Sequence, residues 1–147
     1  MRTEGLAYEE LTFSAIGAFF EVYNQLGHGF LEHIYMTALE RELIARGHRV
    51  AREVNIPVFY KGEIIGWQRL DMIVDDKLVI EGKSTTELPK EAKRQLYNYL
   101  KATHLEVGLL LHFGPEPKFY RLDFRHAPSP ATRISAQGLK DKTDVHG

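Results

Sequence analysis

Asp71, Glu81 and Lys83 stand in or at the ends of two apolar runs within Leu70–Ser84. Asp75-Asp76-Lys77 joins the runs as a tight turn. Counting inward from that turn, Val74 opposes Leu78 and Asp71 opposes Glu81. Cross-strand neighbours have Cβ atoms about 4.5–5.5 Å apart. Two carboxylates that close repel unless one is protonated or a cation lies between them. Hard dications such as Mg²⁺ take oxygen ligands and keep several waters, so Asp71 with Glu81 suits a metal clamp. Side chains alternate along a strand, so Lys83 shares a face with Glu81. There it offers a point charge for a phosphate or an attacking water. The same residues also suit a surface hairpin in which Lys83 pairs with Asp71 or Glu81, and a lone D-x9-E-x-K pattern recurs by chance.

Two further clusters give the pattern company. Glu32, in Gly29-Phe30-Leu31-Glu32-His33-Ile34-Tyr35, falls in a first helical turn, where a carboxylate complements the helix dipole. It is also in line with Tyr35, Met36, Leu39 and Leu43, beside an apolar stripe. A carboxylate facing inward there needs a partner, and a metal would serve. Gln95 and Tyr99 are i, i+4 on one helix face with Ala92. From there Gln95 can reach a water or a phosphate and Tyr99 can brace it; an ordinary amphipathic helix explains the pair equally well.

The elements that must position these groups follow from hydrophobic period. Tyr8–Leu26 and about Phe30–Arg46 read as helices, stopped by Gly27-His28-Gly29 and by Gly47. The second carries a stripe of Leu31, Ile34, Tyr35, Ala38, Leu39 and Leu43. Arg49–Tyr60, Ile64–Val74 and Leu78–Lys83 read as three strands in an antiparallel meander. Pro89 opens a helix running to about Thr103. Val107–Phe113 reads as a strand covered on both faces, and Lys118–Phe124 as an edge strand. Trp67, with Tyr60 and Phe59, reads as core more readily than as a base-stacking platform. His28 and His33 read as loop and surface histidines, and Asp123 as a surface charge. The order is ααβββαββ, an α/β or α+β domain with one mixed sheet flanked by helices.

Bulk properties narrow the field. A chain of 147 residues with 44% hydrophobic and 27% charged residues is expected to fold around one core. Without cysteine it has no disulfides and no thiolate metal site, as a cytoplasmic protein would. No apolar run approaches the roughly 18 residues of a membrane span, and the N-terminus lacks a secretory pattern. The net charge of −1 does not point to nucleic acid. Charge is uneven, however: Lys83, Lys90, Lys93, Arg94 and Lys101 face only Glu87 and Glu91, so that segment is +3. A basic helix suits phosphate, or simply a solvated face. No phosphate-loop, dinucleotide-glycine or His-Glu-x-x-His pattern occurs. His126–Gly147 reads as a mobile tail.

Gly29-x-x-Glu32-x-x-Tyr35 resembles the signature of the GxxExxY protein family. Asp71 followed by Glu81-x-Lys83 resembles the core motif of the PD-(D/E)XK nuclease superfamily, to which that family is assigned. Gln95-x-x-x-Tyr99 resembles the trailing motif of its exonuclease branch. The likeness spans about Leu11 to Phe124. Leu70 replaces the proline of the name, and Gly82 stands where a bulkier apolar residue is more usual. The resemblance implies a restriction-endonuclease-like domain over 1–125 that hydrolyses phosphodiester bonds in DNA with Mg²⁺ or Mn²⁺. It implies Asp71 and Glu81 as metal ligands with Glu32 as an additional one. Lys83 would orient water and stabilise charge, Gln95 would position water or strand, and Tyr35 and Tyr99 would support them. Lys90, Lys93 and Arg94 would contact nucleic acid. A homodimer is an option, since cutting two strands takes two sites. The alternatives are a non-catalytic nucleic-acid-binding or accessory module that keeps the fold, and a purely protein-binding subunit.

Overall fold

In the computed structural model the described residues are 3–126. The order is α1 (Thr3–Leu26), α2 (Glu32–Ala45), β1 (Val50–Tyr60), β2 (Glu63–Val74), β3 (Leu78–Lys83), α3 (Ala92–Ala102), β4 (Val107–Phe113) and β5 (Pro117–Asp123). One five-stranded sheet carries the strands in sequence order. β1–β2–β3 is the expected antiparallel meander, β4 lies parallel to β3, and β5 returns antiparallel at the edge. The fold class is therefore the expected one: a mixed sheet flanked by helices, with a restriction-endonuclease-like order ααβββαββ. The reading of 126–147 as a tail lies, apart from His126, outside the described residues. His126 hydrogen-bonds the Leu105 carbonyl at 2.9 Å.

Each face of the sheet has its own core. Met72, Val74, Leu78, Ile80, Leu109 and Leu111 pack under α1 and α2. Val79 and Leu110 pack under Ala92, Leu96 and Leu100 of α3. β4 is buried along its whole length, as a strand sandwiched between helices must be. Gly108 admits α3: a Cβ there would lie 2.9 Å from a Leu96 methyl.

Local chemistry sets the boundaries. Gly27 ends α1 with φ +73°, and Gly29 takes φ +116°, a conformation that side chains resist. Leu31 is thereby left outside α2 and 67% exposed, so it does not belong to the expected apolar stripe. At the other end of α2, Gly47 donates to the Ile44 carbonyl and His48 to that of Leu43, a Schellman motif. Pro89 falls in the turn ahead of α3, whose first hydrogen-bonded residue, Ala92, donates back to the Pro89 carbonyl.

β1 and β2 outrun the rest of the sheet. β3 pairs with β2 only over Met72–Val74, so β1 and β2 continue as a two-stranded arm. At the root of this arm the β1–β2 ladder skips the Glu53–Asp71 position, and Glu53 takes φ +53°. Met72 and Val74 face α1 and α2, whereas Leu70, with Ile56, packs on the α3 side. The strand faces thus exchange at Asp71. The expectation that Trp67, Tyr60 and Phe59 form core is overturned: Trp67 is 63% and Tyr60 59% exposed, and Phe59 is half-buried. The arm carries them past the helices that would have covered them.

Candidate active site

Asp71 and Glu81 come together as expected. The backbone ladder between β2 and β3 stops at Met72–Ile80, and side chains take over one step further. Glu81 Oε2 accepts the Asp71 N–H at 2.9 Å, and Asp71 Oδ2 accepts the Gly82 N–H at 3.0 Å. The two carboxylates are thus fixed by each other's backbone at the mouth of the splayed strands. Gly82 faces α2, where a Cβ would stand 2.5 Å from Met36 Sδ. The missing side chain lets α2 sit against the strand end and bring its N-terminus to the carboxylates.

Glu32, first residue of α2, arrives by that route. Tyr35 fixes its loop: the buried hydroxyl donates to the Gly27 carbonyl and accepts the Phe30 N–H at 3.3 Å, while the ring stacks on Phe113 at 4.3 Å. Tyr35 thereby ties down the turn that precedes Glu32. From the other face, Tyr99 of α3 is close enough to Glu81 and Asp71 that burial and then their charges raise its hydroxyl above the usual value.

Electrostatically the site is unsatisfied. Glu81 is only 4% exposed. Burial first, and then the Asp71 charge, push its carboxyl up to about 8, against the opposing pull of the Asp71 N–H and Lys83. Glu32 is also raised, by burial and then by Asp71, with Lys83 opposing. Lys83 is near both, yet among the described residues it forms no ion pair. The reading of a self-neutralised hairpin does not hold.

A cleft of about 130 Å³ opens beside Asp71, lined by Glu32, His33, Met36, Arg52, Glu53 and Arg69. That is room for a few waters at about 30 Å³ each. Among the described residues no three or more acidic, histidine or cysteine side chains form a ready-made metal cage. Mg²⁺, however, is held by one or two carboxylates plus waters and substrate phosphate, not by a closed protein shell. Two crowded carboxylates, one of them buried without a lysine or arginine ion pair, next to a water-sized cleft, fit that demand.

The remaining expected residues are more dispersed. Gln95 is exposed, one turn before Tyr99. Lys93 lies over the Tyr120 ring at 4.2 Å and Arg94 over Tyr97 at 5.2 Å; Lys90 is exposed in the turn before α3. Nothing among the described residues ties these three to the carboxylates.

Sequence reasoning overlooked Arg52, Arg69 and His112. Arg52 lines the cleft and is anchored to Glu40 of α2 at 2.8 Å. His112 is buried on β4 directly beside Lys83 in the parallel ladder, and its Nε2 bonds the Thr85 carbonyl at 2.6 Å. It ties down the loop that leaves Lys83. Its signal was present: a histidine in the otherwise apolar Val107–Phe113.

The family model of the PD-(D/E)XK nuclease superfamily matches residues 9–122. The chain belongs to the PD-(D/E)XK nuclease superfamily. A solved structure titled "Crystal structure of SSO0001" is similar in fold, with TM-score 0.53 and 23% identity. The match covers 72% of this chain and 56% of that one, so this chain spans little more than half of that protein's length. No curated protein matches. Members of the superfamily are in general nucleases acting on nucleic acid, typically with divalent metals. No helix among the described residues is long and apolar enough to cross a membrane.

Proposed function

We propose that this protein is a Mg²⁺- or Mn²⁺-dependent nuclease that hydrolyses phosphodiester bonds in DNA, of the GxxExxY type within its superfamily. The observation that carries this reading is the interlocked Asp71–Glu81 pair, whose buried Glu81 carboxyl is raised to about 8. A dication would be held by Asp71 and Glu81, with Glu32 as an additional ligand or a contact to its waters. Bound there, it would polarise the phosphoryl oxygen and activate water.

The chain's own residues do the rest. Asp71 and Glu81 are held rigid by backbone N–H groups, so little reorganisation remains at the moment of reaction. Lys83 places a positive charge where the phosphate gains negative charge and helps to orient the attacking water. Tyr35 holds Glu32, and His112 holds the Lys83 strand end. Gln95 positions water or the departing strand, and Lys90, Lys93 and Arg94 supply outlying phosphate contacts. In the net reaction a water oxygen bonds to phosphorus, the phosphorus–oxygen bond to the sugar breaks, and the sugar oxygen takes up a proton.

The test is cleavage of single-stranded, duplex and branched DNA with Mg²⁺ or Mn²⁺. Activity that Asp71→Ala removes is the expected result. No cleavage of any substrate, together with binding that survives Glu81→Ala, would instead indicate an accessory nucleic-acid-binding module.

A further inference from the structure

The β1–β2 arm carries a stripe that leads into the cleft. Residues two apart on a strand share a face, so Trp67, paired with Pro57, continues the line of Arg69, paired with Asn55; Arg69 itself lines the cleft with Asp71 and Glu32. At about 3.4 Å per residue, Trp67 lies about 14 Å along the strand from Asp71. Trp67 is 63% exposed. Among the described residues the Trp67 indole makes no hydrogen bond or ring contact. Among the described residues the Arg69 side chain pairs with Glu53 alone, at 3.8 Å, with both side chains mostly in solvent. A pair of that kind exchanges readily for a phosphate.

The stripe has its orientation because the strand faces exchange at Asp71. Without that exchange, Trp67 and Arg69 would stand on the α3 side and not on the side of Glu32. An aromatic plane, a guanidinium and a carboxylate pair in line match the repeating parts of one nucleic-acid strand. The base stacks on the ring, the next phosphate meets the cation, and the following phosphate reaches the carboxylates. Stacking on a free indole requires a base whose own π-face is free, which duplex bases lack.

We propose that the arm is a single-strand guide: Trp67 stacks on an unpaired base and Arg69 holds the adjoining phosphate, so that an unpaired DNA strand is fed to Asp71 and Glu81. This deepens the nuclease reading and rests on it for the direction of the strand.

Trp67 is the sole tryptophan, which makes the test direct. The full-length chain in EDTA is titrated with a twelve-nucleotide oligothymidylate and with a blunt twelve-base-pair duplex, while intrinsic fluorescence is read. Saturable quenching by the single strand, with markedly weaker response to duplex, is expected. Trp67→Ala should weaken single-strand affinity by about 5- to 100-fold, measured with a labelled oligonucleotide, and Trp67→Phe should restore most of it. An unquenched indole, equal response to both DNAs, or unchanged affinity in Trp67→Ala would overturn the proposal. So would a Trp67→Ala change in sedimentation from dimer to monomer at unchanged affinity, which would assign the stripe to contact between copies. Binding with quenching but no cleavage under Mn²⁺ would leave the guide standing and remove the nuclease. Full cleavage by Trp67→Ala at unchanged affinity would do the reverse.

Discussion

The β2–β3 hairpin carries acidic residues at both of its ends, and the two ends treat them oppositely. At the closed end, Asp75 occupies a left-handed turn position with φ +54°. Its Oδ1 accepts the Arg49 N–H and its Oδ2 bonds His48 Nδ1, each at 2.8 Å; His48 Nε2 in turn bonds Ser14 of α1, also at 2.8 Å. Burial opposes ionisation there, but the Arg49 N–H and the His48 ring outweigh it and hold the carboxyl below its usual value. At the open end, Asp71 and Glu81 crowd one another, and Glu81 is raised. A charge that serves the fold is satisfied by the fold. At the open end two backbone N–H groups do not offset the burial and the mutual repulsion of the carboxylates, and on the reading proposed above a bound dication would.

The sharpest way to break that comparison is to exchange the consequences. Asp71→Asn should lower cleavage by about 10³-fold, read from initial rates, and should leave the midpoint of thermal unfolding unchanged or higher. Asp75→Ala should do the opposite. It strands the Arg49 N–H and frees His48, costing about 1–3 kcal/mol in denaturant unfolding, with the rate per folded molecule kept.

Stability against pH separates the ends by sign. The folded carboxyl of Glu81 is raised, so its contribution is full below the unfolded value and is lost as pH rises through about 8. Asp75 is lowered, so its contribution is present above the unfolded value and is lost as pH falls through its folded value. Glu81→Gln should therefore stabilise the metal-free protein at pH 9 by roughly 1–3 kcal/mol, with the gain vanishing near pH 4. Unfolding melts across pH check this. The smallest effect is Tyr35→Phe, which removes the hydroxyl bonds to Gly27 and Phe30. It should cost about 0.5–1.5 kcal/mol, and cleavage should fall modestly as Glu32 loosens.

Much of this was legible in the sequence because it is local. Asp75-Asp76-Lys77 marks the turn, and counting from it sets Asp71 against Glu81. Gly29, Glu32 and Tyr35 lie within seven residues, and their loop is closed by a bond between near neighbours. The exchange of strand faces was not legible, because it depends on Glu53 in a left-handed conformation that no glycine or asparagine advertises. Trp67 was misplaced for the same kind of reason. An aromatic residue in an alternating strand suggests core, and only the mismatch between 11- and 12-residue strands and a six-residue third strand hints at an arm. The Ser14–His48–Asp75 relay joins three distant segments and leaves no motif.

Calorimetric titration of Mn²⁺ into the wild-type protein and into Asp71→Asn tests the central claim most directly. Saturable binding to the wild type at pH 7, with proton release as Glu81 ionises, and loss of that binding in Asp71→Asn is the predicted result. Equal binding to both proteins, or none to the wild type, would contradict the assignment of the open end of the hairpin as a metal-dependent active site.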